Sequence, residues 1–230
     1  MGLCGGDGPA QVVDPVQKKM SEAITRRIES MSEKEGRVNK LLLLGAGQSG
    51  KSTIFKQMNM LTKKGYTNSE LRQYRYIIHR NCIDGIKTVL EALPALGLEV
   101  EDAAADQADM VELWDGENLN PSLAEAIELL WRQPSLKTAF DRRAEYQLND
   151  SVEYFMTHIR RIGAAEYLPT SDDVLRARVR TSGVVSNEFT YNELDFHVFD
   201  VGGQRSERRR WLGLFDHVDG GLFYSAARRG

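Results

Sequence analysis

Cysteine is nearly absent. The 230 residues hold only Cys4 and Cys82, so no disulfide framework staples the fold, and this usage fits a reducing cytosol. No apolar run approaches the length of a membrane span, and no secretory signal is visible. An excess of one charge is missing too. The formal net charge of −3 gives no general reason to expect nucleic acid as a partner. His79, His158 and the three tryptophans follow no metal-ligand or stacking pattern and read as core or surface. What the chain does have is a hydrophobic fraction of 41%, enough for a real core, and a length suited to one large domain or two small ones.

The most informative stretch is Gly45-Ala46-Gly47-Gln48-Ser49-Gly50-Lys51-Ser52-Thr53, which matches the pattern G-x-x-x-x-G-K-[ST]. Val38 to Leu44 before it is short and apolar, as a buried strand should be, and Ser52 to Leu61 after it reads as a helix. In that context glycines allow backbone N–H groups to close around phosphate oxygens, and the helix N-terminus adds the positive end of its dipole. Lys51 would reach the β and γ phosphates, and the Ser52 hydroxyl would ligate Mg²⁺. The bland alternative is a glycine-rich turn with an exposed lysine. The strand and helix on either side favour a nucleotide site.

Before this loop, Met1-Gly2-Leu3-Cys4-Gly5-Gly6 resembles a myristoylation start, although Gly6 stands where Ser or Thr is usual. Cys4 is a candidate for a second acyl chain, since one such chain holds a membrane only marginally. The alternative is a glycine-rich terminus without structure. A helix over residues 15–35 is expected next. Asp14 would cap it, Pro15 suits its first position, and Val13, Val16, Met20, Ile24, Ile28 and Met31 form one apolar stripe. That stripe could pack on its own domain or dock another protein.

After the loop the sequence reads as almost entirely helical from about Tyr66 to Asp173. Leu71, Tyr74, Ile78, Cys82, Ile86, Val89 and Leu93 share one face that ends near Pro94. Asn120-Pro121 opens a further helix, Leu136–Arg143 and Val152–Ile162 read as shorter ones, and Glu99–Asp109 reads as an exposed acidic loop with a little helix. Strand character resumes at Val184–Tyr191. A hairpin through Asn192-Glu193 leads to Leu194–Phe199, with Asp200 at the strand tip. A helix over Ser206–Phe215 and a buried strand over Gly221–Ala226 complete the pattern.

These residues together resemble the α subunits of heterotrimeric G proteins. The match rests on Lys40 to Thr53, Tyr146-Gln147-Leu148-Asn149-Asp150-Ser151, Asp173-Val174-Leu175-Arg176-Ala177-Arg178-Val179-Arg180-Thr181, and Asp200-Val201-Gly202-Gly203-Gln204-Arg205-Ser206-Glu207-Arg208. The resemblance implies an α/β fold: a P-loop NTPase (Ras-like) parallel-sheet domain, incomplete, with an inserted all-helical domain. Residues 1–36 would be an N-terminal anchor and amphipathic helix, 37–65 and 174–230 the two parts of the GTPase domain, and 66–173 the helical insertion. It implies GTP hydrolysis to GDP, with Arg178 as a built-in arginine finger and Gln204 orienting the attacking water. Ser52, Thr181 and Asp200 would hold Mg²⁺. Gly45, Gly47, Gln48, Ser49, Gly50, Lys51, Ser52 and Thr53 would bind the nucleotide, along with Asp150, Ser151, Leu175, Arg176, Ala177, Arg178, Asp200, Val201, Gly202, Gly203 and Gln204. Gly2 and Cys4 would carry lipid at the cytoplasmic face of the plasma membrane. The implied partners are a βγ dimer, a G protein-coupled receptor and an effector, with no nucleic acid. Singly, each residue has a plainer reading: Arg176, Arg178 and Arg180 as a solvated edge, Gln204 as a turn residue, Asp150-Ser151 as a helix cap, and Arg208-Arg209-Arg210 as a solvated helix face.

Two departures stand out. Gln48 occupies a position where the family usually has a glutamate able to pair with the arginine finger, and Gln48 can only hydrogen-bond. The family's N-K-x-D guanine-reading motif, its second base-contacting loop and its receptor-binding helix would lie beyond Gly230. The 230-residue chain alone is therefore expected to be poorly soluble or partly unfolded, to bind nucleotide weakly and to separate GTP from ATP poorly. The alternative functions are a catalytically incompetent βγ-binding module and, less in keeping with the helical stretch, a P-loop ATPase of another kind.

Overall fold

The computed structural model describes residues 38–62, 65–179, 183–204 and 207–225. The expected helix over 15–35, the lipid candidates Gly2 and Cys4, and Thr181, Arg180 and Ser206 lie outside the described residues. The chain divides into two compact units, one of residues 1–55 and 180–230, the other of residues 56–179.

The first unit is built on a four-stranded sheet. Strand β1 (Val38–Gly45) is followed by helix α1 (Lys51–Thr62), whose second half belongs to the other unit. Strands β2 (Val184–Tyr191), β3 (Leu194–Val201) and β4 (Gly220–Tyr224) complete the sheet in the order β2-β3-β1-β4. β1 runs parallel to β3, with Leu43 opposite Asp200, and parallel to β4, with Gly45 opposite Tyr224. β2 and β3 are antiparallel. The sheet is therefore mixed rather than all-parallel, because a two-residue hairpin can only return the chain antiparallel. Asn192 and Glu193 supply that turn with φ of 51° and 64°, the left-handed pair a type I′ turn requires. Leu42, Leu44, Val184, Phe199, Val201 and Leu214 form the core of this unit, flanked by Trp211 and Val218. Asp219 extends the β1–β4 ladder, accepting the Lys40 N–H on its carboxylate at 2.7 Å and donating its own N–H to the Lys40 carbonyl at 2.9 Å.

Two expectations for this unit need correction. The segment expected as one helix over Ser206–Phe215 is a 3-10 turn (Arg208–Trp211) leading into a single α turn, α9 (Leu212–Phe215). The last strand covers Gly220–Tyr224 rather than 221–226, and Leu222 and Phe223 on it are exposed.

Between α1 and β2 every regular element among the described residues is helical. Helix α2 (Asn68–Ala92) opens with a capping box: the Thr67 hydroxyl accepts the Glu70 N–H, and the Glu70 carboxylate accepts the Thr67 N–H. Its apolar positions recur every three or four residues, which lays Ile78, Cys82, Ile86 and Val89 in the core without solvent exposure. Helices α3 (Ala105–Glu112), α4 (Pro121–Trp131), α5 (Pro134–Asp141), α6 (Val152–Thr157), α7 (Ile159–Ile162) and α8 (Ser171–Arg176) pack around it. At the start of α4 the Asn120 side chain accepts the Leu123 N–H at 2.8 Å.

The acidic stretch over 99–109 is more ordered than expected. A 3-10 turn (Asp102–Ala104) runs into α3, and together they bury Ala104, Ala108 and Val111. Glu101 just before it accepts both the N–H and the hydroxyl of Ser135 at the start of α5. The helix expected over Val152–Ile162 is broken in two, because His158 turns its ring back to the Tyr154 carbonyl and leaves helical geometry. The unit boundaries also differ from 65/66 and 173/174. Lys56 donates to the Val174 carbonyl at 3.0 Å and also to the Ala177 carbonyl. These bonds tie the second half of α1 and residues 174–179 to the helical unit.

Candidate functional site

The turn between β1 and α1 reverses within six residues by using unusual backbone. Gly45, Gln48 and Gly50 have φ of 144°, 66° and 94°, and the Ser49 N–H returns to the Ala46 carbonyl at 3.3 Å. Gly45 must be glycine, since a Cβ there would sit 2.2 Å from the Tyr224 carbonyl oxygen. Lys51 begins α1 almost completely buried. It donates to the carbonyls of Gly45 at 3.0 Å and Ala46 at 2.9 Å, holding the loop in a closed curve. Burial pushes its ammonium below the usual lysine range, and Arg208 adds to that, while the Asp200 carboxylate opposes it. With three rotatable donors, this ammonium can turn from the carbonyls to an oxyanion.

The tip of β3 meets this loop. Ser52 donates its hydroxyl to Asp200 at 2.7 Å, and Asp200 is 2% exposed. A Cβ on Gly203 would lie 2.5 Å from both the Gly45 carbonyl oxygen and Lys51 Nζ, so only glycine lets the segment lie this close to the loop. Gln204 follows, its Cγ 3.5 Å from where a Gly47 Cβ would stand. Val201 and Gly202 are buried beside it, and Thr53 is exposed on the first turn of α1. The carbonyls of Gly202 and Gly203 are gripped by the Trp211 indole N–H at 3.1 Å and the Arg208 Nε–H at 3.2 Å. So Gly45, Gly47, Gln48, Ser49, Gly50, Lys51, Ser52, Asp200, Gly203 and Gln204 gather in one place.

This donor set fits a phosphate and a hard cation. The Ser49 hydroxyl is buried in the loop without a hydrogen-bond partner among the described residues, an orphan that an anion would satisfy. Ser52 and Asp200 present hydroxyl and carboxylate oxygens, which suit Mg²⁺ bound together with substrate phosphates better than a softer metal. Among the described residues no group of three His, Cys, Asp or Glu side chains gathers as an all-protein cation cage.

The remaining candidates belong to the helical unit. Asp150 and Ser151 stand at the start of α6. Ser151 makes no side-chain cap there, and the turn is instead made by Asn149, whose carboxamide accepts the Ser151 N–H at 3.0 Å. Leu175 and Arg176 end α8, with the Arg176 guanidinium 4.3 Å over the Tyr154 ring and Nη1 3.7 Å from Asp172. Ala177 is buried in the helical core, and Arg178 follows with its side chain exposed.

Asp173, fully buried at the start of α8, was quoted only as part of a motif, yet it is the polar centre of the unit. Arg161 pairs with it through two bonds of 2.7 and 2.8 Å, and the hydroxyls of Tyr154 and Tyr167 and the Thr170 N–H also donate to it. Burial alone would raise its pKa. Those donors outweigh burial and hold the carboxyl well below the usual range. The Thr170-x-x-Asp173 spacing of a capping box was the one local signal for it. The contacts of Lys56, and of Asn81 on α2 with the backbone of Arg178, had no such signal.

The closed lysine loop, the Ser52–Asp200 pair and Gly203, whose lack of a Cβ lets its segment lie against the loop, are the parts of a P-loop nucleotide fold. A family model of the G-protein alpha subunit matches residues 18–228, and the chain belongs to the G-protein alpha subunit family.

Proposed function

We propose that this chain is a GTPase switch. It takes up GTP with Mg²⁺, hydrolyses it to GDP and phosphate, and cycles between receptor-activated and βγ-bound states. The observation that carries the reading is the Lys51 cradle closed against Gly203, with Ser52 on Asp200 beside it. The backbone of Gly47 to Ser52 and the Lys51 ammonium bind and orient the phosphates. Mg²⁺, when bound, neutralises charge on the β and γ phosphates, and Ser52, Thr181 and Asp200 are the residues to hold it. Arg178 is assigned the stabilisation of charge on the transferring phosphoryl group, which is the known cis-arginine arrangement of this family. Gln204 orients the attacking water. The Gly203 N–H registers the γ phosphate, and its loss releases the segment that Arg208 and Trp211 grip.

In this reading residues 56–179 are the family's inserted helical domain, and Asp150, Ser151, Leu175 and Arg176 are assigned to nucleotide binding by family. Gly2 and Cys4 carry lipid at the cytoplasmic face of the plasma membrane, and the stripe over residues 15–35 docks the βγ dimer. Receptor and effector are partners by family.

Single-turnover hydrolysis in protein first shown by titration to be loaded with GTP tests the assignment. Gln204→Leu and Arg178→Cys should each slow the chemical step about 10²-fold while nucleotide affinity changes little, because both groups act on the transition state. Equal rates in variants and parent would remove the catalytic assignment. Loss of all turnover in the parent with retained βγ binding would make the chain a binding module instead.

A further inference from the structure

The backbone of Arg178 is held on both its polar groups, while the residue itself is exposed. The Arg178 N–H donates to Asn81 Oδ1 at 2.5 Å, and Asn81 Nδ2 donates back to the Arg178 carbonyl at 3.2 Å. A carboxamide presents the same donor and acceptor pair as a peptide group, so Asn81 pairs with Arg178 as one rung of a sheet would. Among the described residues no strand partners this extended segment, and the rung is supplied by a helix. The support behind it is firm. Asn81 sits on the 25-residue α2 next to Cys82, which is wholly buried. Just upstream, Lys56 holds the Val174 and Ala177 carbonyls, and Asp173 is anchored by Arg161, Tyr154 and Tyr167.

We propose that Asn81 is a positioning residue for Arg178: by clamping both its backbone N–H and its carbonyl to α2, it fixes the point from which the exposed guanidinium works. This rests on the catalytic assignment of Arg178 above. A group that must meet developing charge loses effect when its origin wanders, since small displacements are costly in the transition state. The backbone clamp fixes the Cα and leaves the side chain free to swing, which suits a residue needed only at the chemical step.

Asn81→Leu keeps the branched shape and heavy-atom count and removes both bonds. Amide exchange at Arg178 should quicken about tenfold or more, while exchange at Ile78 and Cys82 on the buried face of α2 stays as in the parent. Single-turnover hydrolysis by GTP-loaded protein should fall about tenfold, with GTP affinity unchanged. Asn81→Asp keeps the acceptor for the Arg178 N–H and should retain most of the amide protection. The deciding comparison is the double variant. If Asn81 acts through Arg178, Asn81→Leu in an Arg178→Cys background lowers hydrolysis no further, whereas a general structural role predicts additive losses. Additive losses, parental hydrolysis in Asn81→Leu, or unchanged exchange at Arg178 would each overturn the positioning role while leaving the GTPase reading intact. No turnover in the loaded parent, or no effect of Arg178→Cys, would instead remove the GTPase reading, and this inference with it.

Discussion

His79 shows how much a single side chain can carry without touching the candidate site. Its ring is fully buried, receives the Leu119 N–H on Nδ1 at 3.1 Å and lies 3.1 Å from the Ile162 carbonyl through Nε2. Because Nδ1 accepts, Nε2 must carry the proton, and the ring is neutral. Burial lowers its pKa, reinforced by nearby Arg75 and opposed by the Ile162 carbonyl. With the folded pKa below the unfolded value near 6.5, its contribution is complete above that pH and is lost as pH falls from there through the lower folded pKa. The parent's urea midpoint, followed by tryptophan fluorescence, should therefore drop as pH falls below about 6.5. His79→Leu should cost about 1–3 kcal/mol at pH 7, for the two backbone groups it strands, and should flatten that slope. Equal slopes would show that His79 is not the titrating group. Composition and spacing gave no hint of this role, because both partners are remote in sequence. The same holds for Asn81 and Lys56. The residues from Gly45 to Thr53 were legible for the opposite reason: the loop's chemistry depends on neighbours within one turn.

Among the elements, those with local punctuation were read well. β1, α1, α2, the Asn120 cap and the β2–β3 hairpin all carry their signals within a few residues. The misreadings fell where distant contacts decide. Residues 102–112 become helix because Ala104, Ala108 and Val111 find a core to cover, and Glu101 reaches Ser135. Arg208–Trp211 coils into a 3-10 turn, with Arg208 and Trp211 bonded back to the Gly202–Gly203 carbonyls. The hairpin carries a testable imperfection. Glu193 holds a φ of 64°, where a non-glycine residue pays about 1 kcal/mol in strain, and Asn-Gly is the favoured pair for such a turn. Glu193→Gly should raise stability by about 0.5 kcal/mol, after the entropy that glycine itself costs. Thermal unfolding of the two proteins side by side measures it, and a lower midpoint for the variant would count against the turn assignment.

At the scale of the whole molecule, the order of the strands decides when the chain can become functional. Both neighbours of β1, namely β3 and β4, follow the helical unit in the chain, so Val38 must wait for Asp195. Closing so long a loop is entropically costly, and contacts of high sequence separation form slowly. The helices meet neighbours closer in sequence and can condense first, shortening the gap that β1 must bridge. The tryptophans report on this directly: Trp114 and Trp131 lie in the helical unit, and Trp211 grips Gly202 beside the loop. In single-tryptophan variants refolding from urea, the first two should recover native emission before Trp211 does. One shared rate for all three would show that the chain condenses as a unit. The phosphate cradle is on this view the last part of the protein to be made, and a nucleotide that arrives early finds nothing yet to hold it.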